Sequence, residues 1–135
     1  MLFLGLGTGL GSSLISQKAI VPMELGSLRY RRGQTYGEVL GRRGLRISGK
    51  KLWRRAVAHA VAEFTKAFEA DYVMLGGGNS KEIKVPPPGS RIGNNQTALR
   101  GGFRLWNLDD IQTLTPDDQG ELLSTTPAPP EWRVL

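Results

Sequence analysis

Apolar residues follow a strand-like pattern at the start of the chain. One short apolar run covers residues 2–4 and another lies within residues 13–16. Between them, every second residue from Gly5 to Gly11 is glycine. Two short runs joined by residues that turn easily predict a β-hairpin with a glycine-rich tip.

A helical pattern is strongest from Gly49 to Ala70. Apolar side chains recur there at helical spacing and form one stripe, which consists of Trp53, Val57, Ala60, Val61, Phe64 and Phe68. Ser48 is available as the N-cap of this predicted helix. Residues 31–48 before it have turn chemistry and several basic side chains, which predicts irregular structure.

The apolar run over residues 72–75 predicts a strand that is buried on both faces and therefore parallel to its neighbours. A helix, a buried strand and then glycines are typical of an α/β fold with a mixed sheet. Other predicted elements are a strand over residues 19–21 ended by Pro22, a short helix over residues 81–84 capped by Ser80, and a helix from Asn94 or Asn95 to Trp106.

Length and composition favour one domain with a modest core. The chain has 135 residues, of which 39% are hydrophobic, with 18 glycines and 8 prolines. Residues 1–106 are predicted to form the domain, and the acidic, proline-containing residues 107–135 a loosely structured tail. Without cysteine, neither a disulfide nor a thiolate zinc site is possible, and His59 alone cannot anchor a metal.

The net charge is +6, and the excess of basic residues is concentrated between Arg29 and Arg55. Its densest part is the basic run at residues 42–55, which consists of Arg42, Arg43, Arg46, Lys50, Lys51, Arg54 and Arg55. Two interpretations stay open: a solvated basic face, or a track for polyphosphate or, less readily, nucleic acid.

The N-terminal apolar residues do not fit a targeting segment. No lysine or arginine precedes them, and glycines dilute them. No apolar run reaches the roughly 18 residues of a membrane span. We therefore expect a cytoplasmic protein without membrane contact.

The two glycine clusters invite a phosphate-binding interpretation. The first fits neither the P-loop nor the dinucleotide fingerprint, because the spacing differs and a strand follows it. Its exposed amides could still wrap a phosphate, with the Thr8 hydroxyl as a further donor. Otherwise the stretch is only a flexible hairpin tip, and Gly76–Gly78 only a turn.

Three stretches in this order, LGLGTGLGSSLI, VPMELGSL and DYVMLGGGNSK, resemble the C-terminal half of ROK-family sugar kinases (repressors, open reading frames and kinases), closest to polyphosphate-glucokinase-like members. The resemblance covers roughly residues 2–106 and implies the C-terminal lobe of an actin-like, ribonuclease H-like ATPase fold. It also implies site residues: Gly7, Thr8 and Gly9 at phosphate, Gly76, Gly77, Gly78 and Asn79 at the nucleoside, and Glu24 with Ser27 at the sugar.

The sequence also departs from this family. Ser27 stands where the family's E-x-G-H sugar motif has histidine, and the zinc-binding cysteine cluster of many relatives is absent. Family kinases carry an earlier half with the catalytic aspartate, and this chain begins where that half should end. We therefore expect no catalytic residue here and no activity from this chain alone.

The function implied by the resemblance is phosphoryl transfer from ATP or polyphosphate to a hexose such as glucose, with Mg²⁺ and without zinc. A homodimer or a separately encoded front half are the expected partners besides nucleotide. The alternative is a non-catalytic module that binds nucleotide or a polyanion.

Overall fold

The computed structural model describes residues 1–17 and 19–93 and the backbone of residues 133–134. The described strands are β1 (Leu2–Leu6), β2 (Leu10–Ser16), β3 (Ala19–Met23), β4 (Val73–Gly76), β5 (Ser90–Ile92) and β6 (Arg133–Val134). The described α-helices are α1 (Tyr36–Leu40) and α2 (Arg42–Phe68), and single 3-10 turns cover Leu25–Ser27 and Ser80–Glu82.

Within the described residues the strands form one mixed sheet in the order β5-β4-β1-β2-β3-β6. β1 and β2 are the predicted antiparallel hairpin, with Leu6 opposite Leu10. β4 lies parallel to β1, with Gly76 beside Gly5. The prediction of an α/β fold with a mixed sheet and a parallel buried strand is therefore confirmed.

The predicted irregular structure over residues 31–48 holds for residues 31–35 but is wrong from residue 36, because α1 and the start of α2 lie there. Thr35 caps α1 through a capping box: its side chain accepts from the Glu38 amide, and the Glu38 carboxylate accepts from the Thr35 amide. The capping box thereby satisfies two of the four backbone donors that lack intrahelical partners at the start of this helix.

Gly49 interrupts α2 with φ 74° and ψ 163°, a conformation that side chains other than glycine strongly disfavour. The helix therefore consists of a first segment, residues 42–48, and a second segment, residues 50–68. Ser48 does not cap the second segment as predicted. Its hydroxyl donates to the Gly44 carbonyl, one turn back in the first segment, at 2.8 Å.

The second segment packs its apolar stripe against the sheet. Leu2, Leu4 and Leu6 of β1 alternate as buried residues and join the second segment in one hydrophobic core. Trp53 is fully buried at its centre, and its indole N–H donates to the Leu40 carbonyl at 3.0 Å. This bond ties the end of α1 to the second segment.

Two further predictions differ in detail. β3 continues through Pro22 to Met23, and Pro22 lies opposite Ser13. In place of a capped helix over residues 81–84 there is the 3-10 turn Ser80–Glu82, whose N-cap residue is Asn79. The predicted helix at residues 94–106 and the boundary at residue 106 lie outside the described residues.

Candidate phosphate and nucleotide site

All predicted site residues lie at one end of the sheet. Because β1 and β4 are parallel, residues 7–9 and 77–79 follow strand ends that lie side by side. β2 begins at this end and β3 finishes there, which brings Glu24 to the same place. We call it the glycine end, with a first glycine bend at residues 7–9 and a second at residues 76–79.

The two bends touch each other directly. The backbone amide of Asn79 donates to the Leu6 carbonyl at 2.9 Å, and its side-chain amide donates to the Gly7 carbonyl at 2.8 Å. Gly77, with φ 82°, approaches so closely that a methyl group on it would lie 2.5 Å from the Leu6 oxygen. The expected convergence of two distant glycine clusters is thus present in the fold.

Some glycines at this end are required by packing. The Phe3 ring lies over Gly5 and Gly76, where an added Cβ would come within 3.3 Å and 2.8 Å of it. A side chain at Gly76 would displace this ring. For Gly76 and Gly77 the fold itself explains the absence of a side chain, whereas at Gly5 the Phe3 ring would need to shift only a few tenths of an ångström.

Gly7, Gly9 and Gly78 are different. A Cβ on any of them would meet nothing within 4 Å, and none has a positive φ. Neither packing nor backbone conformation requires glycine at these positions. The space over them is open to another molecule.

Main-chain donors accompany this open space. Within the described residues, the amides of Thr8, Gly9 and Gly78 have no hydrogen-bond partner. Thr8 and Gly9 are exposed, as is Gly78. Successive free amides on a concave bend are a known means of binding anions. The glycine end therefore offers donors to a negatively charged ligand at a surface without obstructing side chains.

The first segment of α2 begins against the first bend. The Arg42 amide donates to the carbonyls of Gly7 and Thr8 at 2.9 and 3.2 Å. Gly41 makes this approach possible, since a Cβ there would lie 2.3 Å from the Thr8 oxygen. Sequence reasoning missed this contact because it predicted no helix here.

Glu24 and Ser27 lie in the turn after β3. The Ser27 hydroxyl donates to the Glu24 carbonyl at 2.7 Å, while both residues are exposed. Ser12 fixes the turn by donating to the Met23 carbonyl and accepting from the Leu25 amide. The Glu24 carboxylate is thus presented at the glycine end, and the serine hydroxyl proton is already engaged.

The sequence matches no protein-family model and no curated protein. Among solved structures, the chain is similar to an inorganic polyphosphate/ATP-glucomannokinase from Arthrobacter sp. strain KM, with 26% identity and a TM-score of 0.57. The match covers 67% of this chain and 37% of the kinase chain. The resemblance to ROK-type sugar kinases is thereby confirmed. A ROK hexokinase from Thermus thermophilus also matches, at 18% identity and a TM-score of 0.36, over 63% of this chain and 42% of its own.

This ROK-type fold uses part of the basic run for its own stability. Lys50 forms an ion pair of 2.6 Å with Glu82, and the Arg54 Nε donates to the Glu82 carbonyl. Hydrogen bonding to Lys50 lowers the pKa of the Glu82 carboxyl below its ordinary value. These contacts join α2 to the turn after the second bend, so Lys50 and Arg54 are structural contacts in addition to any role in ligand binding.

The other basic side chains of the run, Arg42, Arg43, Arg46, Lys51 and Arg55, are exposed. The first segment of α2 therefore carries three arginines close to the first bend. His59 lies elsewhere, edge to face with Tyr30 at 5.5 Å between ring centroids. The structure gives His59 no place at the glycine end.

The described residues contain no group of three or more histidine, aspartate or glutamate side chains that could hold a metal ion. In the part of the chain that the structure describes, no helix is long and apolar enough to cross a bilayer.

Proposed function

We propose that the chain is the nucleotide-binding portion of a sugar kinase. The observation that carries this proposal is the open space over Gly7, Gly9 and Gly78, together with the unpartnered amides of the same bends. Neither a packing contact nor a positive φ accounts for glycine at these three positions, whereas room for a ligand would account for it. The similarity to a polyphosphate/ATP-glucomannokinase supports the same interpretation.

Each bend is assigned a part of the ligand. Gly7, Thr8 and Gly9 border the phosphates, which accept hydrogen bonds from the free main-chain amides of Thr8 and Gly9 and from the Thr8 hydroxyl. The second bend, Gly76–Gly78 with Asn79, borders the nucleoside. Glu24, with Ser27 beside it, faces the hexose, to which ATP or polyphosphate would donate a phosphoryl group with Mg²⁺ neutralising the phosphates.

Substitution of the open glycines tests this proposal. Gly9→Ala should preserve the fold, because its methyl group meets no protein atom and φ is ordinary. It should lower the affinity for both ADP and tripolyphosphate by roughly tenfold or more, since the methyl group takes space beside the amides that donate to phosphate. Gly78→Ala should weaken ADP only. Calorimetric titration measures both affinities.

Gly11→Ala is the matched control. Its Cβ would have an ordinary contact of 4.0 Å with the Gly5 oxygen, and it lies in β2 beyond the bend. We expect this variant to bind both ligands like the parent chain. If Gly9→Ala binds ADP and tripolyphosphate with unchanged affinity, the phosphate site is not at the first bend.

Polyphosphate as the donor is favoured by one further observation. The helix segment that bears Arg42, Arg43 and Arg46 starts on the carbonyls of the first bend. A phosphate chain longer than that of a nucleotide could continue from the bend along these arginines. Replacing all three by glutamine should reduce both the affinity for long polyphosphate and its salt dependence, while ADP binding changes little. Equal losses for both ligands would contradict the extended track.

We propose that the remaining residues of a complete kinase lie outside the given sequence, in a front half of the kinase or in a second copy of the chain. The chain spans little more than a third of the glucomannokinase it matches. Light scattering on the purified chain, and co-purification from its natural source, test these two possibilities.

A further inference from the structure

Asn79 is the last residue of the second glycine bend, where it contacts the first bend, and it is only 8% exposed. Its backbone amide and its side-chain amide donate to consecutive carbonyls, those of Leu6 and Gly7. The side-chain bond joins positions 72 residues apart in sequence. The amide group is therefore directed at the first bend of the protein itself.

The Gly7 carbonyl of the first bend accepts hydrogen bonds from the second bend and from the first segment of α2. It accepts from the Asn79 side chain at 2.8 Å and from the Arg42 amide at 2.9 Å. The second bend and the first segment of α2 thus hold the same peptide group. Because Gly7 has no side chain to restrain it, these two bonds fix the direction of the peptide that leads into Thr8 and Gly9.

We infer that Asn79 is a positioning residue, which sets the distance and orientation between the two bends instead of contacting the nucleoside. A side chain at this place must both reach the Gly7 carbonyl and donate a hydrogen bond. Asparagine does both, whereas aspartate of the same size only accepts when ionised. The consequence for ligand binding rests on the proposed function, but the effect on the ligand-free protein does not.

The decisive measurement is amide hydrogen exchange by NMR on the ligand-free 135-residue chain. Asn79→Asp and Asn79→Ala should increase exchange at the Gly7 and Arg42 amides by about three- to tenfold, as expected for loss of one hydrogen bond. Amides in the centre of the second segment of α2 should exchange at the parent rate. Gln34→Glu, an exposed amide-to-carboxylate change, is the matched control and should leave all of these rates unchanged.

Ligand binding supplies the second readout. Asn79→Ala should lower the affinity for ADP about tenfold, because ADP spans both bends. The affinity for tripolyphosphate, which the first bend alone holds, should change by no more than about twofold. If the role of Asn79 were purely structural, its replacement would lower the affinity for both ligands and also speed exchange at the core amides of α2. That result would overturn the inference.

Loss of ADP affinity with unchanged exchange in the ligand-free chain would indicate direct contact with the nucleoside, and would also overturn it. If the parent chain binds neither ligand, the proposed function fails. The exchange rates at Gly7 and Arg42 would still support or refute the positioning role.

Discussion

Gly77 and Gly9 lie at the same end of the sheet, but an added methyl group would affect them differently. At Gly77 it would collide with the Leu6 backbone, and φ is 82°. At Gly9 it would reach open space. The first glycine is required to bring the two bends together, and the second leaves room for a ligand.

The ion pair between Lys50 and Glu82 makes stability depend on pH in a defined direction. Because the pKa of Glu82 is lowered in the folded state, the pair stabilises the protein above the unfolded pKa of glutamate, and this stabilisation disappears as pH falls through the lowered pKa. Lys50→Met should therefore reduce the free energy of unfolding near neutral pH and have no effect once Glu82 is protonated. Urea unfolding at a series of pH values measures the difference.

Lys51→Met is the control for this prediction, since Lys51 is exposed and forms no ion pair among the described residues. Its stability should follow that of the parent chain at every pH. A Lys50→Met difference that persists unchanged at the lowest pH would show that the loss does not come from the ion pair.

The glycines show what the sequence could predict and what it could not. The alternating glycines correctly predicted a hairpin bend. Which glycines are needed for packing could not be predicted, because the close contact that a Cβ at Gly76 would make with the Phe3 ring depends on the pairing of β1 with β4. That pairing joins residues far apart in sequence, and no local pattern encodes its register.

At the level of elements, the break at Gly49 separates two parts of α2 with different neighbours. The first segment starts on the first bend, and the second packs into the core. Gly49→Ala should destabilise the protein by about 1–3 kcal/mol, because alanine disfavours this backbone conformation although space is open. Chemical unfolding measures the loss.

Lys51→Ala, an exposed change in the second segment, serves as the control and should cost little. A Gly49→Ala variant as stable as the parent chain would mean that α2 can run straight through this position without loss. The interruption would then not be needed to hold the first segment against the first bend.

The wrong prediction for residues 31–48 has a physical cause. The first segment of α2 is short, contains Gly44 and has only two apolar side chains, Leu45 and Ile47, so no apolar stripe marks it. A signal for α1 was nevertheless present, since Thr35 and Glu38 have capping-box spacing. The second segment was predicted correctly because its apolar stripe builds the core.

For the whole molecule, we expect binding without turnover. The carboxylates Glu69 and Asp71 precede β4 and therefore lie at the end of the sheet opposite the glycine end. Glu24 is presented at the glycine end by a turn and is assigned to the sugar. The chain alone should therefore bind ADP but form no sugar phosphate from glucose with Mg²⁺ and either ATP or polyphosphate.

A coupled assay for sugar phosphate, run beside the ADP titration, checks this expectation. Product formation above the uncatalysed rate, abolished by Gly9→Ala, would show that the chain contains a complete active site. The proposal of a partial kinase would then be wrong.

The contact between Asn79 and Gly7 also bears on how the protein acquires its site. These residues are separated by 72 positions, and the long crossover between them includes α1 and α2. A nascent chain that ends before residue 79 has the first glycine bend but not the complete second bend. A ligand that bridges both halves would act as a removable cross-link across this crossover and would favour the native state by mass action. Added ADP would then raise the melting temperature by binding only those molecules in which the crossover has closed.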